Sequence, residues 1–344
     1  MLAIKQVLYR TAPGSAIVEA LIRAAQAGKH VTVLIELKAR FDEARNISQA
    51  RRLEQAGIQV VYGVRGLKTH AKICLVVRRE HQGVTRYVHF ATGNYNERTA
   101  TLYSDIGLLT CAPEFGADAS DIFNAVTGYS QPQALRRLDM APFTLRQTLL
   151  KLIASETARA QNKEKSQITL KMNALTDEAL IRALYAASQA GVKIRLNIRG
   201  VCCLCPGVSG LSENITVVSI IDRFLEHARI FSFFNGGRER LFISSADGML
   251  RNLDKRVELL IPVTDEAARK RLQKILKIYF KDNTKAHILL PDGSYRRATP
   301  AGREALFRSQ HALFEETQNA IRMREQTKPT LLEPHRKRAP QPNA

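Results

Sequence analysis

The sequence predicts an α/β protein made of two similar halves with mostly parallel sheets. Three observations carry this. Apolar runs of strand length alternate with segments of helical period, one strand–helix–strand order returns later in the chain, and each copy is followed by a histidine with a cation two residues on.

The elements follow in order. Leu2 to Tyr9 is a strand-like apolar run, and Ser15 to Ala27 sets Ile17, Leu21 and Ala24 on one helical face before Gly28 ends the helix. Val31 to Leu37 is a near-continuous apolar strand, Ile47, Ala50 and Leu53 keep helical period up to Gly57, and Ile58 to Tyr62 is a third strand. Such a βαβαβ order argues for parallel pairing with both sheet faces covered. Ala71 to Val77 and Arg86 to Ala91 add further strands. Ile17 to Gly28 then aligns with Leu180 to Gly191 at a constant offset of 163 with six identities, and strands flank both helices. Domains are therefore expected over 1–135 and 140–298, joined near Gln131-Pro132-Gln133. A closing helix is expected over 299–325 and a disordered basic tail over 326–344.

Composition narrows the class of function. With 344 residues, 45% of them hydrophobic and 24% charged, the chain has ample material for a core, which excludes a disordered or fibrous protein. Lys and Arg number 52 against 32 Asp and Glu, a net charge of +20, and a field of that sign gathers polyanions. Cys74, Cys111, Cys202, Cys203 and Cys205 are an odd set without an export signal, so reduced thiols are expected, and the Cys202–Cys205 cluster lacks the second pair of a zinc site. No apolar run approaches the roughly 18 residues of a membrane helix, and a cytoplasmic protein is expected.

Chemistry concentrates at two places. In Lys68-Thr69-His70-Ala71-Lys72, strand alternation puts His70 and Lys72 on one face, and a fixed cation there disfavours imidazolium and leaves a nitrogen lone pair for attack. Glu226-His227-Ala228-Arg229 repeats the arrangement with Arg229 as the cation. Each is followed by a small-residue polar turn, Thr92-Gly-Asn94-Tyr-Asn96 and Ser244-Ser-Ala-Asp247, where backbone N–H groups and Asn94 or Asn96 can approach an oxyanion. Arg10, Arg40 and Arg199 each follow a strand, where active sites of α/β sheets gather and Arg forks match phosphate. Tyr103 is compatible with stacking on a base or with the core.

Paired H-x-K elements with such turns resemble the phospholipase D superfamily. Longer strings go further: AIKQVLYRT at 3–11, VLIELKARFDE at 33–43, GLKTHAKICLVVRRE at 66–80, TGNYNERTATLYSDIGLLT at 92–110 and IRGVCCLCPGVSGLSENI at 198–215. Together with RFLEHARIF at 223–231 and RNLDKRVELLIPV at 251–263, they resemble the C-terminal half of the histidine-phosphorylating bacterial polyphosphate kinases. The resemblance implies two tandem phospholipase-D-like α/β domains and a Mg²⁺-dependent, reversible transfer of the ATP γ-phosphate to inorganic polyphosphate. It implies a phosphohistidine at His70 and an acid, base or transition-state role for His227. Tyr103, Arg199 and His227 would contact ATP, and Arg10 and Arg40 would hold phosphate oxygens at the Mg²⁺ site. The implied partners are ATP or ADP and polyphosphate, with a homo-oligomer, no specific nucleic acid and a cytoplasmic location that includes peripheral attachment at the inner membrane.

Two departures stand out. Family members are about twice this length, so a helical N-terminal domain and a dimerisation domain are expected to be missing ahead of Met1. Gly248 and Leu250 replace the Trp and Pro of the family's S-A-D-W-M-P-R-N, which predicts a looser turn. The competing readings are a catalytically impaired remnant that binds polyanions, and a phospholipase-D-type phosphodiesterase. The second lacks the Asp of H-x-K-x₄-D, since position 77 is Val.

Overall fold

The computed structural model describes residues 1–9, 12, 14–36, 43–128 and 134–326. Its first unit is the expected one: β1 (Ala3–Leu8), α1 (Ala16–Gln26), β2 (His30–Ile35), α2 (Glu43–Gln55) and β3 (Gln59–Tyr62). Ser15 caps α1 by accepting from the Val18 N–H, and Val18, Leu21, Ile22 and Ala24 form its buried face. Gly28 leaves the helix at φ +73°, a conformation side-chain-bearing residues adopt at a cost. Next come β4 (Lys68–Thr69), β5 (Ile73–Glu80), β6 (Gly83–Ala91), α3 (Glu97–Ala100), β7 (Tyr103–Ser104), β8 (Gly107–Thr110) and α4 (Pro113–Thr127).

The second half opens with β9 (Asp139–Ala141) and α5 (Leu145–Gln161), then repeats the unit as β10 (Gln167–Met172), α6 (Glu178–Gln189) and β11 (Lys193–Ile198). Gly191 again has positive φ, +99°, after the helix. The chain continues through β12 (Ile215–Ile220), β13 (Leu225–Glu226), β14 (Ile230–Phe233), β15 (Arg240–Ser244), α7 (Leu250–Asp254), β16 (Arg256–Pro262) and α8 (Glu266–Tyr279). It closes with β17 (Ala286–Leu289), β18 (Tyr295–Arg297) and α9 (Ser309–Gln326).

The two large sheets are mixed rather than mostly parallel, and β13 and β7 form a third, two-stranded parallel sheet. The first has the order β3-β2-β1-β5-β6-β8, parallel only among β3, β2 and β1. The second runs β18-β17-β12-β11-β10-β14-β15-β16-β4 with β9 on β16, and is parallel among β10, β11 and β12 and where β4 joins β16. The reason is connection length: His81-Gln82 alone joins β5 to β6, and a parallel return needs a crossover of a dozen or more residues. In both halves the histidine-bearing segment leads into the strand antiparallel to the first strand of the repeat, β5 on β1 and β14 on β10.

The halves share a core. Val7, Ile73, Val88, Phe90 and Phe123 of the first pack in one cluster with Ile230, Ile243, Val257, Leu259 and Ile261 of the second. They also exchange short strands, since β4 pairs with β16 and β7 with β13. The closing helix begins at Ser309, later than expected. Pro300 and Gly302 lie ahead of it, and Asp282 accepts from the Ser309 N–H and hydroxyl, each at 2.7 Å. The linker at 131–133 and the tail beyond 326 lie outside the described residues. Among those described, no helix is long and apolar enough to cross a membrane.

Candidate active site

The exchanged strands set the two histidines. β4 and β16 run parallel with Lys68 opposite Arg256 and Thr69 opposite Val257, so the next residues, His70 and Glu258, meet. The His70 Nδ1 lies 2.9 Å from both carboxylate oxygens of Glu258. β13 and β7 pair the same way, Leu225 with Tyr103 and Glu226 with Ser104, and the next residues are His227 and Asp105. The His227 Nδ1 is 2.7 Å from the Asp105 Oδ1. Each half thus orients the histidine of the other with a carboxylate.

Protonation follows from these partners. A Nδ1–H donated to a carboxylate leaves Nε2 as the lone-pair nitrogen. Burial, then the nearby cations Lys72, Arg256 and Arg229, push His70 well below the ordinary imidazole range, so the ring is neutral. Glu258 is fully buried, and desolvation raises its carboxyl to about 7 against the opposing pull of Lys72. The Asn252 amide donates to its Oε1 at 2.6 Å. The Tyr9 ring stands edge-on to the His70 imidazole at 5.1 Å, and the ammonium groups of Lys68 and Lys72 each lie 5.6 Å from that ring. Lys72 is buried and donates to the His70 carbonyl oxygen.

Arg229 ties the two halves together. Its guanidinium donates to the Thr92 carbonyl of the first half at 3.0 Å, to the His227 carbonyl at 2.9 Å and to the His227 Nε2 at 3.3 Å. It also makes a two-pronged contact with Asp247, both bonds at 3.1 Å. Burial works to raise Asp247, but the charge and bonds of Arg229 hold it at about 2. Burial lowers His227 too, with the Asp105 bond opposing. Just before His227, Glu226 is buried and pairs with Lys171 at 3.0 Å, while Gln310 of α9 donates to it at 2.7 Å.

The residues expected from sequence fall into four groups. His70, Lys72, His227 and Arg229 converge. Tyr103 and Arg199 border them: the Tyr103 and His227 rings are 5.1 Å apart, and Arg199 donates to Asn173 at 3.3 Å beside Asp247. Asn96 instead caps α3, its Oδ1 accepting from the Thr99 N–H at 3.0 Å, while the Asn94 Oδ1 is buried without a partner. Arg10 and Arg40 lie outside the described residues. Sequence reasoning missed Asp105, Asp247 and Glu258 as site residues. The available signal was an acid inside an apolar strand, as in Arg256-Val-Glu258-Leu-Leu-Ile261.

The turn at Gly248 is held, not loose. Its N–H donates to Ala174 at 3.1 Å, and its carbonyl accepts from Thr176 at 2.7 Å and Asp177 at 2.9 Å. A Cβ there would stand 2.9 Å from the Leu175 Cδ1 and 3.1 Å from the Met172 Sδ. Gly248→Ala is therefore expected to cost about 1–3 kcal/mol through overpacking. Denaturant unfolding checks this, and an unchanged midpoint would mean that Leu175 turns away freely.

The family model "Polyphosphate kinase C-terminal domain 1" matches residues 1–132, and "Polyphosphate kinase C-terminal domain 2" matches 138–310. The chain thus belongs to the polyphosphate kinase family. It is 63% identical over 314 residues to the polyphosphate kinase of Rhodopirellula baltica, covering 91% of this chain and 37% of that one. It is 55% identical over 305 residues to that of Thermosynechococcus vestitus, covering 89% and 42%. The solved polyphosphate kinase of Porphyromonas gingivalis superposes with a TM-score of 0.86 at 37% identity over 93% of this chain and 49% of that one. The chain therefore spans less than half the length of these relatives. Phosphatidylserine synthase from Haemophilus influenzae shares the fold, with a TM-score of 0.57 at 9% identity.

Proposed function

We propose that this chain carries the phosphoryl-transfer centre of a polyphosphate kinase. His70 Nε2 attacks the γ-phosphorus of ATP; the N–P bond forms as the bond to the bridging oxygen breaks, and ADP leaves with that electron pair. The terminal oxygen of a polyphosphate chain then attacks the same phosphorus, and neutral His70 is restored. Each step runs in reverse. The observation that carries this reading is the neutral His70, anchored through Nδ1 on Glu258 and set among Lys72 and Arg229.

Phosphoryl transfer depends mainly on positioning and charge neutralisation, and this arrangement suits both. Arg199 would face the phosphate oxygens and Tyr103 the nucleotide, and His227, anchored through Nδ1 on Asp105, would serve as the acid, base or transition-state partner once its Nε2 is released by Arg229 as that guanidinium turns to phosphate. Arg10 and Arg40, expected at the Mg²⁺–phosphate site, lie outside the described residues. Among the described residues no group of three or more His, Cys, Asp or Glu side chains could hold a metal, and the groups nearest the histidines are cations suited to phosphate. In this reading Mg²⁺ enters with ATP, its charge shared with the phosphate oxygens.

The test is incubation of the full chain with γ-labelled Mg·ATP. Acid-labile, base-stable label on the protein, passing on to polyphosphate, is the expected result, and no label on a folded chain would overturn the proposal. Arg199→Ala is expected to weaken nucleotide use by about tenfold or more while sparing polyphosphate binding, the loss of one charged contact to a phosphate. Equal losses in both would remove the nucleotide role of Arg199.

A further inference from the structure

At the end of the second sheet away from the histidines, three clefts of about 190, 360 and 370 Å³ adjoin. Glu239 lines the first two, and Arg136, Arg137, Asp139 and Arg240 line the last two. They cross the neighbouring strands β11, β10, β14, β15, β16 and β9, a span of about 24 Å at the usual strand spacing.

Four cations along this groove, Arg195, Lys277, Arg240 and Lys151, have no carboxylate partner among the described residues. Arg195 lies over the Phe280 ring at 4.7 Å with its Nε buried and unbonded. Two acids line the clefts, Asp139, which accepts from Thr148 at 2.7 Å, and Glu239, which accepts from Ser232 and Gln273, and the lining cations outnumber them. Unpaired cations along a narrow cleft are an electrostatic track for a linear polyanion.

The aromatic groups decide which polyanion. Lys165 lies 4.9 Å over the Phe234 ring, and Phe242 is buried beneath Arg240 at 5.4 Å. No ring along the groove offers the open face on which single-stranded nucleic acid stacks its bases. The concave form does not match a flat lipid surface. We infer that this groove is a second binding site for inorganic polyphosphate, remote from the transfer centre, which holds the chain while its end is extended. The inference rests on the proposed polyphosphate chemistry for its ligand.

The experiment measures binding of inorganic polyphosphate of defined length to the full chain, without nucleotide, at several salt concentrations. The exposed groove cations are reversed together (Lys151→Glu, Arg240→Glu, Lys277→Glu), and a control reverses Arg23, Lys281 and Arg303, exposed residues outside these clefts. The groove variant is expected to bind about tenfold or more weakly, with the slope of log affinity against log salt reduced by about 2–3. Labelling from Mg·ATP is expected to stay unchanged, and the control to bind within about threefold of wild type. Wild-type binding by the groove variant, or equal weakening in both variants, would overturn the inference. So would tighter binding of single-stranded DNA or of phosphatidylglycerol vesicles than of polyphosphate at the same salt. Absent labelling with a groove effect intact would instead fault the transfer centre alone.

Discussion

His70→Ala is expected to abolish transfer of phosphate from ATP to the protein. A covalent intermediate needs a nucleophile with a free lone pair, and His70 meets the requirement through its Nδ1 bond to Glu258 and its suppressed basicity. His227 is less suited, because its Nε2 already accepts from Arg229 at 3.3 Å. Truncation also removes a hydrogen-bond donor from the buried Glu258 carboxylate, which costs about 1.5–3 kcal/mol. His70→Gln separates the effects, since its amide can still donate to Glu258 while offering no nucleophile. Both variants are expected to lose label by at least about 10⁴-fold, and the Gln variant to melt close to wild type. Label that persists in a folded His70→Gln protein would transfer the role to another residue.

The parts of this site legible in the sequence were those encoded locally. The H-x-K and H-x-R elements and the repeated helix ending in glycine depend on strand alternation and positive φ, which a short window carries. Asp105 and Glu258 could not be found that way. Their roles depend on parallel pairings only two residues long, between segments 188 positions apart for His70 and Glu258 and 122 apart for Asp105 and His227. Strand pairing at such separation is a tertiary fact. Asn96 shows a second use that the sequence pattern did not reveal: its Oδ1 caps the N-terminus of α3. The same competition for backbone donors moved the start of α9 to Ser309, where Asp282 supplies the acceptor.

The pH dependence of His70 phosphorylation follows from Glu258. With its carboxyl raised to about 7, Glu258 is ionised above that pH and accepts the hydrogen bond of Nδ1–H, leaving Nε2 as the nucleophile. Below it, the neutral carboxylic acid donates to Nδ1 instead, and the imidazole proton shifts to Nε2, where it blocks attack. The labelling rate is thus expected to be flat above about 7 and to fall about tenfold per unit beneath it. Because His70 itself is held well below its ordinary range, its own protonation adds a loss only at lower pH. Glu258→Gln is expected to slow labelling by roughly 10³–10⁴-fold, because an amide donates as readily as it accepts and does not fix the tautomer. It is also expected to erase the step near neutrality. Single-turnover labelling between about pH 5 and about 9 reads both effects. A Glu258→Gln enzyme that keeps the wild-type step would assign the titration elsewhere, with His227 and Asp105 as the next pair to test.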